Sequence, residues 1–123
     1  MKKLFVVASL VSLLAAPSAF ARPACKSRMP VVPQEVVGAT ASYEEMRDAR
    51  MAVVQYHDDM WVYMEPSCHV NRNIVYWNRA EHLLHETVDN YNAQLRDWLA
   101  IPANFELNES YRHVSMALVA VTR

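Results

Sequence analysis

Three of the five histidines in this 123-residue chain, His57, His82 and His85, fall where helical spacing could gather them. The segment Glu81-His82-Leu83-Leu84-His85-Glu86 sets two imidazoles three residues apart, with Asp89 one turn further on. Together with His57 they could offer three nitrogens to Zn²⁺ or Cu²⁺, with the carboxylates as extra ligands or acceptors. The plainer reading is a polar helix face carrying Glu81–His85 and His82–Glu86 pairs. Leu83 and Leu84 favour it, because they place the two histidines on opposite flanks of an apolar seam. A soft copper site from His57, Met60 and Met64 is weaker still, since Met60 belongs to the apolar stripe.

Other chemistry finds less support. His85-Glu86-Thr87-Val88-Asp89 ends in the wrong residue for the His-Glu-x-x-His zinc helix. Ser42 reads as a helix cap, Ser67 adjoins Cys68, and Ser110 and Ser115 lie near His113 without a glycine-rich oxyanion loop. A single glycine, Gly38, excludes phosphate-cradling loops. Pro30-Val-Val-Pro33 has the form of a PxxP ligand, but a covered leader explains it better. Trp61, Trp77 and Trp98 belong to helical stripes and read as core. The expectation is a non-enzymatic protein that needs no cofactor.

Two long helices must position these residues. Ser42-Tyr-Glu-Glu45 is a capping box, in which serine and glutamate each satisfy the other's free amide. Met46, Ala49, Val53, Tyr56, Met60 and Tyr63 then recur every three or four residues, and Pro66 ends the run. A second helix starts near Asn71 or Asn73, buries Trp77, Ala80, Leu84, Val88, Tyr91, Leu95 and Trp98, and stops by Pro102. A short tip between them implies an all-α antiparallel hairpin over residues 42–102, with Tyr56 opposite Leu84 and Ala49 opposite Tyr91.

The N-terminus has a different character. Lys2-Lys3, an apolar run from Leu4 to Ala16 and Ala19-Phe20-Ala21 form a signal peptide over residues 1–21, cleaved after Ala21. The short basic region points to a bacterial periplasm. Removing Lys2 and Lys3 leaves ten basic against thirteen acidic residues, a formal charge of −3. Without a basic footprint, nucleic acid and anionic membranes are poor partners, and no span remains after cleavage. In that oxidising compartment Cys25 and Cys68 read as a disulfide, with free thiols or an intermolecular bridge as the alternatives.

Residues 22–41 carry Pro23, Pro30 and Pro33 and read as an extended leader. Its valines suggest that it covers a second strip of the first helix, Met51, Val54 and Trp61. A bridge to Cys68 would then bolt it along that helix, contributing on the order of 4 kcal/mol in the chain-entropy model. The tail, residues 103–123, offers Phe105, Leu107 and a Val114–Val121 run for packing, as a short third helix or against the open side of the hairpin. A strand there would need a partner strand, and the sequence shows none.

Cys25, the Pro-rich leader, Gly38-Ala-Thr-Ala-Ser-Tyr-Glu-Glu-Met46, Tyr56, Tyr63 before a second cysteine, and Tyr91-Asn-Ala-Gln-Leu-Arg96 follow a recurring order. Over residues 25–100 the chain resembles the small exported helical proteins of proteobacteria that carry no assigned function. It departs from them at Pro66, in the Tyr63-to-Cys68 spacing and in its histidines. The resemblance implies a helical fold and an exported location, and supplies no catalytic residue. The expected role is surface interaction as an envelope accessory factor, with an unknown envelope protein or a second copy as partner. Metal binding through His57, His82 and His85 is the alternative.

Overall fold

The computed structural model describes residues 25, 28–66, 74–111 and 116–121. The expected signal peptide, the tip with Cys68, and the N-cap of the second helix lie outside them. The described chain is all-helical: α1 (Tyr43–Tyr63), α2 (Ile74–Leu99) and α3 (Pro102–Ser110), with no strand among the described residues.

Helix α1 starts where its sequence dictates. The Glu45 amide donates to Ser42 Oγ at 3.1 Å, and the Ser42 amide donates to Glu45 Oε2 at 2.7 Å. Two carboxylates, Glu44 and Glu45, then occupy the first turn, where the helix dipole favours negative charge. The expected stripe is buried on both long helices: Met46, Val53, Tyr56, Met60 and Tyr63 on α1, and Ala80, Leu84, Val88, Tyr91, Leu95 and Trp98 on α2. Ala49 and Trp77, the remaining members, pack partly buried against that core.

The end of α2 lies beside the start of α1. The Trp98 indole N–H donates to the Ala41 carbonyl at 3.0 Å, and the Trp98 ring centroid is 6.2 Å from that of Tyr43. Just before α1, the Gly38 amide donates to Gln94 Oε1 at 2.9 Å. A Cβ built on Gly38 would overlap the Gln94 carbonyl oxygen, so the only glycine allows the backbones to approach this closely.

Three expectations need correction. Pro102 does more than stop α2: it is the first residue of α3, a position where its missing N–H costs nothing. Coverage of the second strip of α1 is partial, because Met51 stays 64% exposed while Val54 and Trp61 are half-buried, and Val31 of the leader is 89% exposed. The leader meets the core instead through Met29, Val36 and Ala41. Phe105 and Leu107 do not pack inward either; both are exposed. Asparagine takes their place, since Asn104 and Asn108, one turn apart, supply the inward contacts of α3.

Those asparagines explain how an extended tail persists without a partner strand. Asn108 Nδ2 donates to the Met116 carbonyl at 3.3 Å while Met116 N–H donates back to Asn108 Oδ1 at 2.7 Å. Asn92 grips Val119 in the same way, with both bonds at 2.8 Å. A side-chain amide carries one donor and one acceptor, as a peptide group does, so each asparagine stands in for one unit of a neighbouring strand. Arg50 Nε adds a longer bond to the Ala117 carbonyl, at 3.4 Å.

A carboxylate in place of Asn92 would keep the acceptor and lose the donor. Asn92→Asp is expected to destabilise the fold by about 1–3 kcal/mol at neutral pH, because it strands the Val119 carbonyl. The same change at exposed Asn78 should cost under about 0.5 kcal/mol. Urea melts of the two variants check this. Acidification that protonates the new carboxyl should recover part of the loss at position 92 and none at 78.

Candidate functional site

His57 sits on α1 directly after the seam residue Tyr56, with its side chain only 13% exposed. Both ring nitrogens are engaged. Trp61 Nε1, which can only donate, gives its proton to His57 Nε2 at 3.1 Å. That contact assigns the proton to Nδ1, which lies 3.0 Å from Asp58 Oδ1. The imidazole and indole rings meet edge-on at 6.3 Å. His57 is therefore a bridge between a carboxylate and an indole, and presenting a lone pair to a metal would cost it the Trp61 bond.

The α2 histidines have a different setting. His82 is 77% exposed and its Nε2 stands 3.8 Å from Glu86 Oε2, a loose pair one turn apart. His85 is exposed on the far side of Leu84, which is fully buried. Among the described residues no group of three or more histidine, cysteine, aspartate or glutamate side chains is arranged to hold a metal ion. The three imidazoles that the sequence offered for one ion are thus not gathered there.

Of the two cysteines, Cys25 is exposed and is not a free thiol, while Cys68 lies outside the described residues. Trp98 is fully buried, and Trp61 and Trp77 pack partly buried against the core. No helix of the described chain is long and apolar enough to cross a membrane.

What the structure adds is a set of exposed apolar side chains on and beside α3. Ile101 and Phe105 lie four residues apart on one flank of its asparagine face, and Leu107 and Tyr111 four apart on the other; all are exposed, as is Leu118 in the tail. Tyr111 stacks on Tyr43 with centroids 5.2 Å apart, tying this end to the start of α1. Sequence reading placed Phe105 and Leu107 inside because it weighed hydrophobicity alone. The signal it passed over is Asn104 and Asn108 at i and i+4, a polar pair on the face that turns inward.

No family model matches the chain, and no curated protein or solved structure is significantly similar to it.

Titration of the full-length oxidised protein with Zn²⁺ or Cu²⁺ is expected to give no one-to-one binding tighter than about micromolar. His57→Ala should alter tryptophan emission, because Trp61 loses its acceptor, and should leave the response to metal unchanged. Submicromolar stoichiometric binding that disappears in both His57→Ala and His82→Ala would make the histidines a metal site.

Proposed function

We propose that this protein is an exported, non-enzymatic accessory factor of the bacterial envelope, working in the periplasm through contacts made by its surface. The observation that carries this reading is the set of exposed apolar side chains on and beside α3: Ile101, Phe105, Leu107, Tyr111 and Leu118. Large exposed apolar groups concentrated on one short segment are the usual mark of a surface that meets another protein. The tail clamps and the Tyr43–Tyr111 stack tie Tyr111, Met116 and Val119 to the helices before any partner arrives, which lowers the entropy lost on association.

The durability such a location demands would come from a hairpin strapped by its leader. In this reading residues 1–21 are removed after Ala21, the leader lies along the first helix, and Cys25 is bonded to Cys68. Two contacts favour the strap. Cys25 and Arg28 border the same shallow cleft as Gln55 and Asp59, in the later half of α1. Val36 and Val37 border another with Glu45 and Asp48, near its start. The fixed hydrogen bond from Gly38 to Gln94 would then be one anchor of the leader and the disulfide the other.

The protein recovered from a periplasmic extract is expected to have the mass of residues 22–123 less two hydrogens. A photo-crosslinking residue at position 105 should yield one discrete adduct in living cells, and the same residue at exposed position 79 should yield none. Leu107→Glu should remove the adduct while shifting stability by less than about 0.5 kcal/mol, as a surface change does. An adduct of twice the protein's own mass would identify a homodimer; equal labelling from positions 79 and 105 would defeat the reading.

A further inference from the structure

The side chains that hold the tail come from three different helices. Asn92 of α2 exchanges two hydrogen bonds with the main chain of Val119, and Asn108 of α3 exchanges two with that of Met116. Arg50 of α1 reaches the carbonyl between them, on Ala117. Residues 116–121 are all apolar, so each of these bonds goes to the backbone. Side chains matter at the first, fourth and sixth positions: Met116 is buried, and Val119 and Val121 pack on the core. Ala117, Leu118 and Ala120 are exposed. Hydrogen bonds to the main chain combined with seats for a few side chains are how proteins take up extended peptides.

The groove is assembled without help from its occupant. Asn104 ties α3 to the Trp98 carbonyl of α2, and Tyr111 stacks on Tyr43 of α1; neither contact involves residues 116–121. Asn92 stands on α2 beside the seam residue Tyr91, so the core sets its place. A site formed in advance loses little entropy when it is filled. Emptying it is costly, because Asn92 and Asn108 are only 8% and 6% exposed and their amides would lose their partners. These clamps need an extended backbone, and their chemistry is indifferent to which chain supplies it.

We propose that this groove binds an extended segment of another protein, apolar at its first, fourth and sixth residues, and that the tail is a resident occupant which this segment replaces. Both clamps take up an N–H, so the segment carries no proline at its first or fourth residue. Its second, third and fifth side chains are free to vary, since the tail turns those positions outward. A second copy's tail would fit the same clamps, but it offers nothing that the tethered tail does not supply at far higher effective concentration. A partner's segment brings contacts of its own beyond the groove. The groove and the exposed flanks of α3 are different surfaces, and either role can fail without the other.

The test is an NMR titration of the isotope-labelled, full-length oxidised protein with an unlabelled peptide of residues 115–123 as the probe. In a Val119→Pro variant the resident tail lacks the N–H that Asn92 holds. The peptide should bind this variant saturably and return the Asn92 and Asn108 side-chain amide signals to their wild-type positions. A peptide carrying Ala117→Ser, Leu118→Ser and Ala120→Ser should bind within about threefold of the parent, as outward changes do. N-methylation of the peptide at position 119 should weaken it by at least about tenfold, because it removes a bond to a buried amide. If Val119→Pro does not fold, the wild-type chain decides the matter. Peptide at about millimolar concentration, comparable with the effective concentration of a tethered segment, should then move the Ala117 and Leu118 amide signals together to unbound positions. Unmoved tail signals, binding that tolerates the N-methyl group, or failure of the serine peptide would overturn the proposal. So would a dimer that forms with rising protein concentration and is lost in Val119→Pro, which would assign the groove to a second copy's tail.

Discussion

Four segments of this small protein meet at Trp98. Its ring is fully buried, its indole N–H closes on the carbonyl of Ala41 at the end of the leader, and its face meets Tyr43 in the first turn of α1. Its own carbonyl, near the end of α2, accepts from Asn104 Nδ2 at 3.1 Å, which ties in α3. A buried indole needs one partner for its N–H, and here that single requirement fixes where the leader must end relative to α2. The capping box of Ser42 and Glu45 follows one residue later, so the start of α1 is set by local chemistry and by the core together. The approach of Gly38 to Gln94 is a consequence: with Ala41 pinned to Trp98, the turn before it has to pass against the α2 backbone, where a Cβ has no room.

The second constraint is polar. A modest domain with an extended tail has to satisfy the tail's backbone, and helices offer no free backbone groups along their sides. Asn92 and Asn108 solve this with side chains, and both are accordingly buried although asparagine is usually exposed. The same arrangement spends the inward face of α3 on amides, which leaves Ile101, Phe105, Leu107 and Tyr111 on its exposed flanks. The apolar surface on which the functional reading rests is thus a by-product of hydrogen bonding, since α3 turns inward the residues the tail needs.

This explains which parts of the fold were legible in the sequence. The two stripes were, because three-and-four spacing over twenty residues admits one buried face, and every residue assigned to it is buried or packs on the core. The capping box was legible because its four residues suffice to make it. The tail was not, because its stabilising partners, Asn92 and Asn108, are single polar residues whose role depends on which way two different helices face. The leader was half legible. Proline and valine content said extended and apolar, but Val36 meets the core while Val31 points to water, and only the path of the chain separates them. Of the candidate site, the separation of His82 and His85 across the Leu84 seam was legible; the bond from Trp61 that commits the His57 ring was not, since i and i+4 proximity does not fix ring orientation.

Two tyrosines in the seam show where packing and polarity were left in tension. Tyr56 and Tyr91 both carry hydroxyls closed off inside the seam; that of Tyr56 has Thr87 as a hydrogen-bonding neighbour, while that of Tyr91 has no partner among the described residues. Selection for stability alone would favour the apolar ring at position 91, because an unpartnered buried hydroxyl detracts from the fold. The leader packs lightly on these helices: Val31, Val32 and Val37 are all exposed, and of its valines Val36 alone meets the core. A segment that contributes so few buried side chains leaves the packing to the seam behind it, where Leu84, Val88 and Leu95 are closed.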